Sequence, residues 1–221
     1  MLHRKIARAI AIGYHVDMNA VRNFQPISVR DYLDGERCAK RKHEYLEGFV
    51  YAMAGASNLH NRIATNATVS LGSQLRGRPC QVFNSDTKVR VQFAHGTRFY
   101  YPDSMVVCEP NSNDDVFHDA PVVIVEIVSE STRRTDEYEK REAYLSIHSL
   151  IAYILFEQSA PLAVVYRRRD GEFVNEPFSR LEAVVPLHEI GCKLRLNDVY
   201  DNVIFPTAEQ LREEALNYDT A

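Results

Sequence analysis

The chain has 221 residues, 45% of them hydrophobic and 25% charged, enough to bury a sizeable core without staples. Nine Gly and nine Pro exclude a collagen-like or low-complexity chain. The net charge of −4, from 26 basic and 30 acidic residues, excludes a polybasic nucleic-acid coat. It leaves room for a nucleic-acid enzyme, whose metal site is acidic and whose basic patches are local.

Length predicts one domain, or one domain with additions, and the expected organisation is an N-terminal extension over 1–26 and a single domain over 27–221. The opening MLHRKIARAIAI is basic and then apolar, as a signal peptide is. Arg8 interrupts the apolar stretch, and His15 and Asp17 follow, so an extended arm is the better reading. A short helix is expected over 28–36, with Ser28 as its cap and Val29, Tyr32 and Leu33 on its apolar side. Residues 44–54 read as two short strands around Glu47-Gly48. In 58–76, Leu59, Ile63, Ala67, Leu71 and Leu75 recur at every fourth residue, a helical stripe behind a Ser57 or Asn58 cap.

Strands are expected within 81–93, over 98–108 and over 121–128. The last is an almost unbroken apolar run, typical of a central strand buried on both faces. A helix over 136–147 precedes an apolar strand at 151–156. A hairpin turns at Arg169-Asp170-Gly171 between 162–167 and 172–174. Shorter strands near 182–185 and 192–196 follow, then a helix over 208–217 with a Thr207/Gln210 capping box. The pattern predicts an α/β fold. Its mixed central sheet, from strands near 87–92, 99–107, 121–128 and 151–157, has helices 58–76 and 136–147 beside it. An N-terminal hairpin and C-terminal strands are added.

No apolar run spans a bilayer. Cys38, Cys80, Cys108 and Cys192 are scattered, with no CxxC spacing. A zinc site is disfavoured, and reduced, cytoplasmic thiols are the default expectation.

Glu126 is the sharpest chemical signal. It interrupts Val122-Val123-Ile124-Val125 and Ile127-Val128, where a buried carboxylate needs a metal, a cation or a proton. A structural ion pair is the competing account. Asp103 follows Pro102, which cannot donate in a ladder and so marks an edge, a bulge or a strand start. A plain turn Asp is its ordinary alternative. Lys140 shares a helical face with Ala143, Tyr144 and Ile147, and can reach inward to carboxylates or snorkel to solvent. Asp136 and Glu137 suit the first turn as helix-dipole partners and need no catalytic role. Two carboxylates from neighbouring strands can hold a hard cation such as Mg²⁺, and a nearby lysine can assist phosphodiester hydrolysis.

Pro102-Asp103 followed by Glu126-Ile127-Val128 resembles the PD-(D/E)XK motif of restriction-endonuclease-like folds. Further runs sharpen the likeness: Lys42-His43-Glu44-Tyr45-Leu46-Glu47-Gly48, Tyr51-Ala52-Met53-Ala54-Gly55, Tyr101-Pro102-Asp103 and Val125-Glu126-Ile127-Val128-Ser129. Together they resemble the Uma-type family of bacterial endonuclease-like proteins over about residues 27–200. The resemblance implies a Mg²⁺- or Mn²⁺-dependent deoxyribonuclease. Asp103 and Glu126 would be its metal ligands, with Glu44 as a further one. The motif's lysine position holds Val128, and the resemblance implies that Lys140, from the following helix, stands in. Lys88 is a rival.

Asp86 is a weaker acidic candidate. His60 reads best as a helix-terminal or core histidine with a satisfied ring, which could still touch phosphate or water near the site. Ser129, Ser131 and Thr132 could cap the next helix or touch substrate. Basic residues gather at Lys40-Arg41-Lys42, Arg76 with Arg78, Arg133-Arg134 and Arg167-Arg168-Arg169, as DNA-phosphate contacts or as solvated faces. DNA is the expected partner. A homodimer would supply one site per strand. The alternative is a catalytically inactive module of the same fold that binds nucleic acid or protein; a third is a metal-dependent hydrolase of another substrate.

Overall fold

The structure, a computed structural model, describes residues 25–129, 133 and 135–205. The expected 1–26 extension (but for its last two residues), the 208–217 helix, Ser131 and Thr132 lie outside them.

The chain enters through α1 (Val29–Glu36), whose first turn is closed by Ser28 Oγ accepting from Asp31 N at 3.1 Å. Tyr32 is its buried residue and donates to the His43 carbonyl, 2.6 Å away. β1 (His43–Leu46) and β2 (Phe49–Ala52) form the expected hairpin. Its turn, Glu47-Gly48, has φ of 53° and 103°, the twist that two-residue hairpins require. At Gly48 a Cβ would also fall 2.5 Å from the Pro26 Cβ. α2 (Asn58–Leu75) starts at Ser57, which accepts from His60 N, and buries Ile63, Ala67, Leu71 and Leu75 as the spacing predicts.

Three sheets follow from the remaining strands. β3 (Gln81–Asn84), β6 (Ser104–Val107), β8 (Pro121–Val128), β9 (Ala152–Glu157), β10 (Leu162–Arg169) and β11 (Glu172–Ser179) make a six-stranded sheet in the order β11-β10-β9-β8-β6-β3. Only β8 and β9 run parallel in it, so the chain between them must cross over. That crossover is a π-helical turn, Thr135–Lys140, continued by α3 (Arg141–Leu145). β4 (Lys88–Phe93), β5 (Gly96–Tyr100) and β7 (Phe117–His118) join the hairpin in a five-stranded sheet, β2-β1-β5-β4-β7. β12 (Val184–Leu187) pairs with β13 (Cys192–Arg195), and α4 (Leu196–Val199) follows.

Four expectations are corrected here. The strand expected over 98–108 is two strands, broken at Tyr101-Pro102-Asp103, and its halves lie in different sheets. Pro102 has no N–H to continue the ladder. For the same reason of sheet membership, the 87–92 strand pairs with the hairpin sheet and not with 121–128. The helix expected over 136–147 is π-helical in its first part and α-helical only over 141–145. Finally, Cys80 and Cys108 are not free thiols but a disulfide. Gln81 pairs with Val107, so the next step outward sets the two cysteines opposite each other.

Two apolar clusters lie on the two faces of β8. Val123, Val125 and Ile127 face α2 and the C-terminal strands. Ile124 and Val128 face Tyr100, Tyr144 and Tyr153. Strand alternation puts Glu126 on this second, tyrosine-rich face.

Candidate active site

Asp103 stands immediately before the start of β6. Ser104 already pairs with Val125, and a continued ladder would engage the Ile127 N–H next. The Asp103 carboxylate takes that role: Oδ2 accepts from Ile127 N at 2.8 Å. Its other oxygen, Oδ1, lies 2.9 Å from His60 Nε2 in the first turn of α2. Backbone and imidazole together fix the aspartate in one orientation beside β8.

Glu126 is 3% exposed. Its Oε1 accepts from Tyr144 OH at 2.9 Å and from Lys140 Nζ at 3.1 Å. The π-helical turn brings Lys140 inward; its ammonium also lies 3.3 Å from Asp136 Oδ1 and 3.4 Å from Glu44 Oε1. π-turns recur at functional sites because they re-aim one side chain without ending the helix. Burial pushes the Glu126 carboxyl well above its ordinary range, against the pull of Lys140; Asp103, Asp136 and Glu44 add to the rise. Burial works to lower Lys140, but Glu126, Glu44 and Asp136 outweigh it and hold the ammonium well above its usual value.

The cluster thus sets Glu44, Asp103, Glu126 and Asp136 against one buried lysine and one histidine. All the acidic donors are oxygens, the set a hard divalent cation prefers. Glu44 Oε1 is buried and accepts no hydrogen bond, an oxygen left with a lone pair to give. Among the described residues no three carboxylates or histidines already stand in the arrangement of a metal cluster. The Lys140 ammonium lies among them, acting as their counter-cation. The residues fit a hard cation in donor type and charge.

The sequence reading named four of these groups, and three of them meet at the ammonium of Lys140: Glu126 and Glu44 with the lysine itself. Asp103 flanks the same strand. Lys88 stands elsewhere, its ammonium donating to Tyr101 OH at 3.1 Å. Asp86 is an exposed partner of Lys42, 2.7 Å away. Two further residues contribute. Asp136 is buried against Lys140 rather than serving only the helix dipole; its spacing of four from Lys140 was the available signal. His60 is the helix-terminal histidine with a satisfied ring that was expected, and its partner is Asp103, a contact between residues far apart in sequence that no local pattern carries.

Mixed sheets, a helical crossover and a buried acid–lysine cluster on the central strand define an α/β fold of the restriction-endonuclease-like class. A crystal structure described as a putative nuclease belonging to DUF820, from Anabaena variabilis, has this fold. It matches with a TM-score of 0.63 at 19% identity, over 81% of this chain and 100% of that one. Residues 29–197 match the Uma2 family, described as "Putative restriction endonuclease", and the chain belongs to that family. Two Synechocystis relatives are uncharacterised proteins. One, slr1290, is 29% identical over 82% of this chain and 95% of its own length. The other, sll1609, is 31% identical over 64% of this chain and 80% of its own. Family and fold point to a nuclease. No described helix is long and apolar enough to cross a membrane.

Proposed function

We propose that the protein is a metal-dependent endonuclease that hydrolyses DNA phosphodiester bonds. The observation that carries this reading is the buried, hydrogen-bond-free Glu44 Oε1 beside Glu126 and Lys140. Asp103, Glu126 and Glu44 would hold Mg²⁺ or Mn²⁺. A divalent cation there supplies Lewis acidity and charge neutralisation at the phosphodiester. Tyr144 steadies the Glu126 carboxylate, and His60 with the Ile127 N–H holds Asp103 in place. Lys140, which pairs with Glu44, Glu126 and Asp136, would be the group to meet a phosphoryl oxygen or orient a water if a cation took up the charge of Glu126 and Glu44. A homodimer belongs to the same proposal, one site serving each strand; sedimentation equilibrium would show it.

A second reading is favoured by one observation: Lys140 is already engaged by three acids, while Val128 leaves the strand without a lysine. On that reading the fold binds nucleic acid or protein without cutting.

Supercoiled plasmid, incubated with Mg²⁺ or Mn²⁺ and with EDTA as control, separates the two. The wild type is expected to nick or linearise it only with metal. Asp103→Ala, Glu126→Ala and Lys140→Ala, each shown to fold, are expected to lose about a hundredfold or more in rate. Equal cutting by all four proteins overturns the proposal, because it marks a contaminant. A folded wild type inert on varied DNA overturns it in favour of the binding module.

A further inference from the structure

A second polar recess, of opposite charge, opens between α1, the segment 37–42 that follows it, and the start of β4. It holds about 430 Å³. Lys40, Arg41, Lys42 and Lys88 line it together with Tyr101. We propose that this cleft binds a phosphate group, with Lys88 as its buried anchor and Lys40 and Arg41 at its mouth.

Lys88 is 5% exposed, yet no carboxylate lies within salt-bridge distance of it among the described residues. Among the described residues its ammonium donates to Tyr101 OH, and it sits 4.9 Å from that ring's centre. An ammonium has three protons to donate, so two remain. Glu36, the carboxylate whose charge acts on Lys88, is already engaged. Glu36 Oε1 lies 2.7 Å from His43 Nδ1, and its Oε2 accepts from Tyr101 OH at 2.7 Å. Asp86 is taken by Lys42. Asp115, also on the lining, forms no ion pair among the described residues. Burial lowers Lys88 from its ordinary value, the mark of a cation short of counter-charge. An entering anion would supply it.

Arg133 and the Arg167-Arg168-Arg169 run are held by internal partners. Arg133 forks onto Glu157 with two contacts of 2.7 Å. Arg167 and Arg169 both hold Glu176, and Arg168 caps the carbonyls of Ile147 and Leu150. Lys40 and Arg41 make no ion pair among the described residues and stay exposed.

Phosphate suits the cleft because it offers several acceptor oxygens to a point-charge ammonium and a guanidinium fork at once. It could belong to a nucleic-acid backbone or be free in solution. The backbone source rests on the nuclease reading. Tyr101 lines the cleft and Asp103 lies in the carboxylate cluster, no more than about 7 Å further along the chain. One strand could therefore engage both.

The test runs in EDTA, so that neither metal nor cutting enters. Anisotropy follows a fluorescein-labelled 20-base-pair duplex, and calorimetry follows inorganic phosphate. The Lys40→Ala/Arg41→Ala double variant is expected to bind duplex about tenfold more weakly, with its log–log salt slope shallower by about two. Lys88→Met, checked for folding by circular dichroism, is expected to lose inorganic phosphate, and Lys88→Arg to retain it. Lys193→Ala, an exposed charge elsewhere, is expected to stay within twofold of wild type. Loss of phosphate with duplex binding unchanged assigns the cleft to a free anion; loss of both assigns it to the backbone. Wild-type affinity for both ligands in the double variant overturns the proposal, even where Lys88→Met fails to fold. Failure of plasmid cutting in Mg²⁺ leaves these binding results standing.

Discussion

The two faces of β8 carry the same kind of strand and opposite chemistry. Val123, Val125 and Ile127 meet a mostly aliphatic surface built by α2, β9 and the C-terminal strands, with Phe156 and Tyr200 among it. One residue over, Ile124, Glu126 and Val128 meet tyrosines 100, 144 and 153. The one buried tyrosine of the first face, Tyr200, is turned to the Glu157 and Leu162 carbonyls, so toward β8 that face chiefly excludes water. The second can also donate hydrogen bonds, because each tyrosine brings an apolar ring with a polar tip. That is why a carboxylate survives in the middle of the strand: Tyr144 and Lys140 reach it from a helix that an aliphatic partner could not have replaced. Burial as such does not forbid charge; burial without donors does.

Moving the acid one step is the strongest way to break this contrast. Ile127→Glu would put a carboxylate on the face that holds no cation, at a cost of about 5 kcal/mol or more. No cooperative melting transition is expected. Lys140→Met comes next, leaving Glu126, Glu44 and Asp136 without their counter-cation. It should cost about 3–5 kcal/mol in urea unfolding. Added Mg²⁺ should raise its melting temperature more than the wild type's; equal shifts would count against carboxylates that share a cation. Tyr144→Phe removes one donor while keeping the ring, and about 1.5–2 kcal/mol should be lost.

The smallest effect is one of pH. Burial lifts the Glu126 carboxyl above its ordinary 4.5, so the native state holds that proton more tightly than the unfolded chain does. Its contribution is therefore greatest below 4.5 and is lost as pH rises through the folded value. Lys140 is raised too, so its contribution is complete below 10.5 and is lost only above its own folded value. Between pH 5 and 9, melting temperature should decline less in Glu126→Gln than in wild type; a steeper decline would contradict the sign.

Much of this arrangement was legible in the chain. Glu126 shows itself because a lone acid breaks an eight-residue strand that is otherwise apolar. Lys140 shows itself by helical phase, since Ala143 and Tyr144 beside it are buried as predicted. Glu44 could be named only through the resemblance, because a strand acid beside a hairpin carries no intrinsic mark. What stayed hidden depends on pairing at a distance. Nothing local says that the two halves of the single strand expected over 98–108, either side of Pro102, belong to different sheets. Nor does anything local say that His60 faces Asp103. The disulfide needed the register of β3 on β6, which spacing between cysteines does not encode.

That disulfide has a mechanical consequence. Cys80 and Cys108 are 28 residues apart, and the ring they close carries β4, β5 and Asp103. Pulled from its ends, the oxidised chain would come up about 95 Å short of its reduced length. The held-back segment would be the one that delivers the aspartate. A protease cut between β4 and β5 would likewise release nothing until a reductant was added, so both fragments would migrate as one under non-reducing conditions.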